Sequence, residues 1–374
     1  MDPKAVNTNV TIDDFDTVLV YADQGQWTTP DPSAKDFNGN DPKYLRGTYH
    51  LTEVAGAAVS LNFTGPAIYL YGHTGPRFGS YEIQLDTQTI IQSAHGAEES
   101  TGPTLLYGAE NLTYGNHQLT LKNLGAKGAE GNAFLLDFIQ YTFQAAPAGY
   151  VATSMFMRIL NIPFPSATIR NVTFEEDNPA FSFTGEWGHN TSPAFSGGGT
   201  TYTHGDGATA TFKFTGSAVY VLGDIKNDHR VYGIKLDGSA EQFYNGTSGC
   251  GGAFGLTCEQ QVPILKYFAS NLDQSEHTVV ITNYAGVNSS FFDLDSVVVT
   301  VPSVYEPRQL ADSGSPFVST SGTATTGTAG TPTVNGSPSS SGSVSPANSA
   351  AGIGSFNSSL LLLLLFFSLF HRRL

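Results

Sequence analysis

The sequence predicts two antiparallel β-sandwiches of the jelly-roll type in tandem, followed by a disordered Ser/Thr-rich stalk and a hydrophobic tail. A long internal repeat is the main observation. Residues 57–72, AAVSLNFTGPAIYLYG, return at residues 208–223 as ATATFKFTGSAVYVLG, and residues 81–86, YEIQLD, return at residues 232–237 as YGIKLD. A repeat of this length indicates two globular units of one fold, because solenoid repeats have periods of about 20 to 50 residues.

Alternating hydrophobicity within each copy predicts short strands and no helix of note. Val59, Leu61 and Phe63 alternate with small or polar residues before a Thr-Gly-Pro turn, and residues 210–217 repeat this pattern. Several such strands separated by Gly, Asn and Asp are typical of an all-β sandwich or jelly roll. We therefore assign residues 1–146 to a first jelly-roll domain, 147–165 to a linker, 166–302 to a second jelly-roll domain, 303–350 to the stalk and 351–374 to the hydrophobic tail.

Composition narrows the range of functions. The net charge is −15 and only 17 residues are Lys or Arg, so the chain lacks the basic surface that nucleic acid binding requires. Only 13% of the residues are charged, about half the usual share for a soluble domain. A surface of neutral polar residues fits an extracellular glycoprotein.

Two cysteines, Cys250 and Cys258, lie in a glycine-rich segment, GCGGAFGLTC. They are too few for a four-ligand zinc site. In an oxidising compartment we expect a disulfide between them, and the alternative is a pair of free thiols. The segment from Asp237 to His277 is longer than its counterpart in the first copy, so a disulfide would restrain the additional loop.

The C-terminal region predicts a surface anchor. Residues 303–359 are rich in Ser, Thr, Gly and Pro and read as an O-glycosylated stalk, and residues 360–370, LLLLLLFFSLF, span only about 16 Å as a helix. A glycosylphosphatidylinositol signal with attachment at Asn348 fits this pattern. The alternative is a single membrane-spanning helix, since the chain ends in His-Arg-Arg-Leu. Either anchor places the protein on the extracellular face of the plasma membrane or in the cell wall.

The N-terminal residues contain no apolar segment of the kind found in a secretory signal, so we expect the true start to lie elsewhere. Nine Asn-x-Ser/Thr sequons favour secretion. The expected N-glycosylation sites are Asn9, Asn62, Asn111, Asn171, Asn190, Asn245, Asn288 and Asn335, and the ninth sequon, at Asn357, lies in the tail.

Several features together resemble the galactose-binding-like jelly rolls, which occur in carbohydrate-binding modules and, in tandem, in fungal cell-surface proteins of largely unassigned function. The features are an acidic first strand (residues 12–14 and 174–176), the Phe-Thr-Gly hairpin, a histidine at a strand entry (residues 115–119 and 275–279) and a closing strand with Asp (residues 135–139 and 293–297). The resemblance covers most of residues 11–143 and 172–301, and these motifs specify fold better than ligand.

The resemblance implies a structural calcium between the first and last strands, held by Asp14 and Asp137 in one copy and by Glu176 and Asp295 in the other. The alternative is that these carboxylates are solvated strand ends without a metal. No other cofactor is expected.

The resemblance also places ligands at loops on one end of the fold. The candidate ligand-binding residues are Tyr49, His73, Arg77 and Phe78 in the first copy and Tyr202, His229 and Arg230 in the second.

Structural roles are expected for Trp27, Trp187, His117 and His277, which recur in both copies. No Gly-x-Ser-x-Gly, His-Glu-x-x-His or phosphate-binding glycine motif is present. The sequence therefore predicts a non-catalytic surface glycoprotein that binds carbohydrate or another surface or cell-wall molecule. The alternatives are a structural or adhesive coat protein and a polysaccharide hydrolase with paired carboxylates.

Overall fold

The computed structural model describes residues 6–146, 167–250, 258–286 and 290–305. Within these residues the chain forms 22 strands and three short 3-10 turns, Gln24–Gln26, Leu45–Gly47 and Ser196–Gly198. The all-β fold class is confirmed. The linker, the stalk, the tail, Asn288, Asn335 and Asn348 lie outside the described residues. None of the described elements is a helix of the length and apolar character that a membrane span needs.

Copy 1, residues 6–146, is a sandwich of two antiparallel sheets. One sheet has the order β1-β10-β5-β8, with β3 also paired to β10, and the other has the order β2-β4-β9-β6-β7. The strands are β1 (Val6–Asp13), β2 (Val20–Tyr21), β3 (His50–Thr52), β4 (Ala58–Thr64), β5 (Ala67–Gly72), β6 (Ser80–Leu85), β7 (Gln88–Ser93), β8 (Thr104–Ala109), β9 (Asn116–Gly125) and β10 (Phe134–Ala146).

Copy 2, residues 167–305, repeats this topology. Its sheets have the orders β11-β22-β16-β19 and β12-β15-β20-β17-β18, and a small sheet β13-β14-β21 takes the place of the β3 pairing. The strands are β11 (Ile169–Glu175), β12 (Phe181–Thr184), β13 (Gly188–Thr191), β14 (Gly199–Thr203), β15 (Thr209–Phe214), β16 (Ala218–Ile225), β17 (Val231–Leu236), β18 (Gln242–Asn245), β19 (Gln260–Ser270), β20 (His277–Asn283), β21 (Phe292–Leu294) and β22 (Ser296–Pro302).

The repeated hairpin keeps its glycine because the last strand of each copy passes over the turn. A Cβ atom at Gly65 would lie 1.9 Å from the carbonyl oxygen of Thr142, and one at Gly216 would lie 2.2 Å from Val299 Cγ1. No side chain fits at either place. The Phe-Thr-Gly motif therefore reports the close approach of β10 or β22 to the β4–β5 or β15–β16 hairpin.

The repeated histidines have structural roles, as expected. His117 bonds to Asp86 Oδ2 at 2.7 Å and to the Thr113 carbonyl oxygen at 2.8 Å, and His277 makes the same pair of contacts with Asp237 and Asp273 at 2.7 and 3.1 Å. The tryptophans differ. Trp27 is buried in the core of copy 1, whereas Trp187 is half-buried and its indole N–H donates to the carbonyl of Thr184.

The two copies pack directly against each other. The Leu265 N–H donates to Asp16 Oδ1 at 2.7 Å, and the Thr17 N–H donates to the Leu265 carbonyl oxygen at 3.1 Å. Phe268 of copy 2 meets Tyr141 and Phe143 of copy 1 edge-on, with ring centroids 5.9 and 5.2 Å apart. The loop after β1 therefore pairs with β19, and aromatic rings fill the space beside that pairing.

The predicted disulfide is present and lies at this junction. Cys250 and Cys258 are bonded and fully buried. They form a small apolar cluster with Phe15 of copy 1 and with Ile225 and Ile264 of copy 2. The crosslink thus lies beside the first loop of copy 1.

Candidate functional site

The acidic site of copy 2 consists of Glu175, Glu176 and Asp295. Antiparallel pairing of β11 with β22 brings them together, because the Glu176 N–H donates to the Asp295 carbonyl oxygen. One oxygen atom of each carboxylate lies within 4.8 Å of the others. Ser196, in a neighbouring turn, donates its N–H to Asp295 Oδ2 at 3.2 Å and its hydroxyl to Glu175 Oε1 at 3.0 Å.

Two oxygen atoms of this acidic site are buried without a hydrogen-bond partner, Asp295 Oδ1 and Glu175 Oε2. Burial raises the pKa of Asp295 to about 7 and also raises the pKa of Glu176. The nearest basic group is His189, with Nδ1 3.4 Å from Glu176 Oε1. A Cβ atom at Gly199 would lie 2.6 Å from His189 Cε1 and 2.9 Å from the same oxygen, so this glycine makes room for the imidazole beside Glu176. Buried carboxylate oxygens without a hydrogen-bond partner fit a calcium ion, which prefers oxygen ligands.

In copy 1, other side chains bond to the carboxylates at the position equivalent to the acidic site of copy 2. Asp14 occupies the position of Glu176, and its two carboxylate oxygens bond to Thr48 Oγ1 at 2.6 Å and to His50 Nδ1 at 2.7 Å. Thr48 stands where copy 2 has Gly199. Asp137 Oδ1 accepts from the Leu45 N–H at 2.9 Å. Burial raises the pKa of Asp14 and lowers the pKa of His50 to about 3. A metal at Asp14 and Asp137 stays a prediction, and it would have to displace these bonds.

The tyrosine patch of copy 1, which we define as Tyr44, Tyr49, His73, Arg77 and Glu99, lies in the end loops. The Tyr44 ring is 4.5 Å from the Tyr49 ring and 4.8 Å from the His73 ring. Arg77 Nε lies 3.5 Å from Glu99 Oε1, and both side chains are about half exposed. Burial raises the pKa of Tyr44, with a further contribution from Tyr49, and Arg77 opposes this shift.

Buried hydrogen bonds fix the base of the tyrosine patch. His73 is buried, with Nε2 2.9 Å from the Lys43 carbonyl oxygen and Nδ1 3.0 Å from Ser100 Oγ. Phe78 is also fully buried, and the Arg77 guanidinium lies 5.0 Å from its ring centroid. Of the residues predicted from the sequence, the structure thus brings Tyr49, His73 and Arg77 together. The Phe78 ring supports Arg77 from inside the core and offers no exposed face to a ligand.

Copy 2 has a buried charged cluster below the equivalent loops, made of Asp224, His229, Lys266 and Asp293. Lys266 is the counterpart of Leu106 in copy 1, because each is the bulge residue of its strand and its carbonyl oxygen accepts a hydrogen bond from a core tyrosine. By the same strand register, Asp293 is the counterpart of Leu135. Two apolar residues of copy 1 are therefore replaced by two charged residues in copy 2.

Lys266 is fully buried, its Nζ has no hydrogen-bond partner, and this atom lies 5.1 Å from the Phe292 ring centroid. Burial lowers the pKa of Lys266 against the attraction of Asp224 and Asp293, and burial raises the pKa of Asp293 to about 6. His229 Nδ1 lies 3.4 Å from Asp224 Oδ1, and burial lowers the pKa of this histidine. The sequence signal was a lone lysine in the apolar run VPILKYFA, residues 262–269.

The remaining candidates of copy 2 do not form a patch like that of copy 1. His229 is buried in the charged cluster, whereas Tyr202 and Arg230 are half-buried. The Tyr202 ring lies 6.1 Å from the Phe291 ring. Six sequon asparagines are described and all six are exposed, namely Asn9, Asn62, Asn111, Asn171, Asn190 and Asn245.

Comparison with known proteins finds no matching family model. Two curated enzymes of Flavonifractor plautii are similar in sequence. An A type blood alpha-D-galactosamine galactosaminidase is 25% identical over 208 residues, which cover 55% of this chain and 17% of the enzyme. An A type blood N-acetyl-alpha-D-galactosamine deacetylase is 30% identical over 112 residues, which cover 30% of this chain and 13% of the enzyme. The chain thus matches less than a fifth of the length of either relative.

Solved structures with a local likeness include a xanthan lyase from Paenibacillus, with 13% identity, a TM-score of 0.26 and coverage of 75% of this chain and 25% of the lyase. A family 35 carbohydrate binding module from Clostridium thermocellum has 14% identity, a TM-score of 0.24 and coverage of 35% of this chain and 98% of the module.

The prediction that this chain is not an enzyme is contradicted by these findings. Both curated relatives are enzymes that act on carbohydrate, a galactosaminidase and a deacetylase. The predicted link to carbohydrate itself is supported by the same two relatives.

The substitution Lys266→Leu tests whether Lys266 compensates the buried carboxylates of the charged cluster. Replacing Lys266 by Leu, the residue at this place in copy 1, leaves Asp224 and Asp293 buried without their cation. We expect the free energy of unfolding, measured by chemical denaturation at pH 7, to fall by about 3–5 kcal/mol. The loss should be smaller at pH 5, because Asp293, with its pKa raised to about 6, is then mostly neutral.

The double change Lys266→Leu and Asp293→Leu rebuilds the apolar pair of copy 1 and should recover part of this loss. Lys213→Leu, at an exposed lysine of the same copy, serves as the control and should change stability by less than about 0.5 kcal/mol. A Lys266→Leu variant as stable as this control would show that Lys266 does not compensate the carboxylates.

Proposed function

We propose that this chain recognises glycans containing amino sugars, and that the tyrosine patch of copy 1 is the binding site. The patch is the observation that carries the proposal. It joins the half-buried rings of Tyr44 and Tyr49 to the half-exposed Arg77–Glu99 ion pair. A sugar ring stacks its C–H face on an aromatic ring, and its hydroxyl groups pair with a guanidinium and a carboxylate.

The ligand class follows from the relatives and from charge. The names of both curated relatives specify galactosamine or its N-acetyl form. Galactosamine carries an ammonium group, and this chain has a net charge of −15, which attracts cations at long range. Glu99 places a carboxylate within the patch where such an ammonium can bind.

A second candidate function is catalysis on the same glycans, which the two related enzymes favour. The tyrosine patch would then hold the substrate. In this case a change in the patch should weaken substrate binding more than it slows the chemical step.

We infer that the chain works outside the cell, held there by its C-terminal segment through a lipid anchor at Asn348 or a spanning helix. The bonded cysteines and the exposed sequons support an oxidising, secretory route. Glycans of the cell wall or of surface proteins are the partners that this location offers. Calcium at the acidic site of copy 2 would neutralise three carboxylates, two of them buried, and hold β11 to β22.

A glycan array tests binding by the tyrosine patch. The full-length chain should bind α-galactosamine-terminated glycans on an array, and Tyr44→Ala should weaken binding about tenfold, which is about 1.4 kcal/mol of lost stacking. Tyr69→Ala, at a partly exposed tyrosine outside the patch, is the matched control and should bind like wild type. Equal binding by Tyr44→Ala and wild type would remove the patch from consideration.

Calcium binding is predicted at the acidic site of copy 2. Added CaCl2 should raise the melting temperature by several degrees, and Asp295→Asn should abolish the response, whereas Glu276→Gln, at an exposed carboxylate, should keep it. The response should grow as pH rises through about 7, because Asp295 must lose its proton to bind a cation. An unchanged melting temperature at millimolar calcium would exclude the metal.

Catalysis is tested with p-nitrophenyl α-D-galactosaminide and with its N-acetyl form, by release of p-nitrophenol and of acetate. We expect turnover of one of them by the full-length chain and none by heat-unfolded protein. Tyr44→Ala should raise KM with little change in kcat. If neither product forms at micromolar protein, the catalytic candidate is withdrawn, and the binding proposal is judged on the array alone.

A further inference from the structure

The interdomain groove, a cavity of about 310 Å³, lies between the two copies and is distinct from the tyrosine patch. Copy 1 contributes Asn9, Asp16 and Arg46 to its lining, and copy 2 contributes Asn171, Tyr220 and Leu222. The groove therefore exists only because the two copies pack against each other. Its volume is at the lower end of the range for small-molecule sites, about 300–1,000 Å³.

The backbone at Arg46 is unusual for a residue with a side chain. Its φ is 54°, in the left-handed region that favours glycine, and copy 2 has Gly197 at the equivalent place with a φ of 62°. The turn needs this conformation in both copies, since it positions Leu45 N–H on Asp137 and Ser196 N–H on Asp295. A large side chain at this point of copy 1 is thus retained against the local backbone preference.

The Arg46 guanidinium is held at the groove by both copies. Its Nη1 donates to the Pro263 carbonyl oxygen of copy 2 at 3.2 Å and lies 3.6 Å from Asp13 Oδ2 of copy 1. Asp13 is 2% exposed, and neither of its carboxylate oxygens has a hydrogen-bond partner. The side chain of Arg46 remains 38% exposed. A planar donor group therefore faces the groove, beside the buried side chain of Asp13.

We propose that the interdomain groove is a second carbohydrate site, which holds one pyranose residue against Arg46. Neighbouring hydroxyl groups of a sugar accept paired N–H donors from a guanidinium, and Tyr220 and Leu222 provide an apolar wall for the ring. Because Asp16 also lines the groove and interacts electrostatically with Arg46, the groove favours a neutral or cationic sugar over an anionic one. The ligand class rests on the proposed function, but none of these residues belongs to the tyrosine patch.

The pyranose can come from two sources. One is a separate glycan, and the other is an N-glycan of the chain itself, because the sequon residues Asn9 and Asn171 are exposed and line the groove. These two asparagines are equivalent, since each accepts a hydrogen bond of 2.8 Å from a threonine of the last strand, Thr142 or Thr300. Protein made without N-glycans and protein made with them distinguish the two sources.

The experiment counts binding sites for methyl α-D-galactosaminide by isothermal titration calorimetry on the full-length chain made without N-glycans. Wild type should bind two equivalents. Arg46→Gly should bind one and should stay folded, because glycine suits the backbone there and this gain offsets part of the lost contacts with Pro263 and Asp13. Arg46→Asn, a second residue that tolerates this φ, should give the same loss, and affinity for the groove should fall at least tenfold in both variants.

The tyrosine patch variant Tyr44→Ala separates this proposal from the proposed function. It should also bind one equivalent, and combining it with Arg46→Gly should leave none. Two equivalents retained by a folded Arg46→Gly protein would overturn the groove site. One equivalent in wild type that is lost only in Tyr44→Ala would overturn it while leaving the tyrosine patch intact. One equivalent lost only in Arg46→Gly would support the groove and overturn the patch.

Glycosylated protein completes the test. If the chain's own glycan occupies the groove, this protein should bind one equivalent and regain the second after treatment with an N-glycosidase. If the groove serves a separate glycan, both preparations should bind two equivalents.

Discussion

Antiparallel pairing of the first and last strands is the constraint on which the rest of each copy depends. It joins the first strand of the sandwich to the last, and it places two consecutive acidic residues at the end of the first strand beside an aspartate of the last. The N–H groups of Asp14 and Glu176 each donate to the carbonyl oxygen of that aspartate. Carboxylates held in this way are removed from water, and burial without a partner is unfavourable. Each copy therefore has to satisfy the same buried carboxyl groups.

The two copies meet this requirement differently. Copy 1 supplies Thr48, His50 and Arg46, which bond to or neighbour the carboxylates of its first strand. Copy 2 has Gly199 and Gly197 at the first and last of these positions. Both copies keep carboxylate oxygens buried without a hydrogen-bond partner, namely Asp13 Oδ1, Asp13 Oδ2 and Asp137 Oδ2 in copy 1 and Glu175 Oε2 and Asp295 Oδ1 in copy 2. The difference is one of side chains on an unchanged backbone. The same turn thus becomes part of an interdomain contact in one copy and of the three-residue acidic site in the other.

A second divergence concerns the end of the sandwich below the binding loops. Copy 1 fills it with Phe78, Leu106 and Leu135, which support the tyrosine patch from below. Copy 2 has His229, Lys266 and Asp293 there, all buried. The two ends therefore differ in chemistry although their strands coincide, and the tyrosine patch has no counterpart among the described residues of copy 2.

Periodicity and contacts that both copies repeat made the fold class, the duplication, the hairpin glycines and the structural histidines predictable from the sequence. The disulfide of copy 2 was predictable because its two cysteines are close in sequence. Tyr49, His73 and Arg77 were also predicted from the sequence as candidate ligand-binding residues, and the structure places them near one another. The side chains of His73, Phe78 and His229 are buried instead of exposed, since a loop residue that turns into the core has the same local pattern as one that faces water. Lys266, Asp293 and the role of Arg46 were decided by tertiary structure alone, because their partners come from strands distant in sequence and, for Arg46, from the other copy.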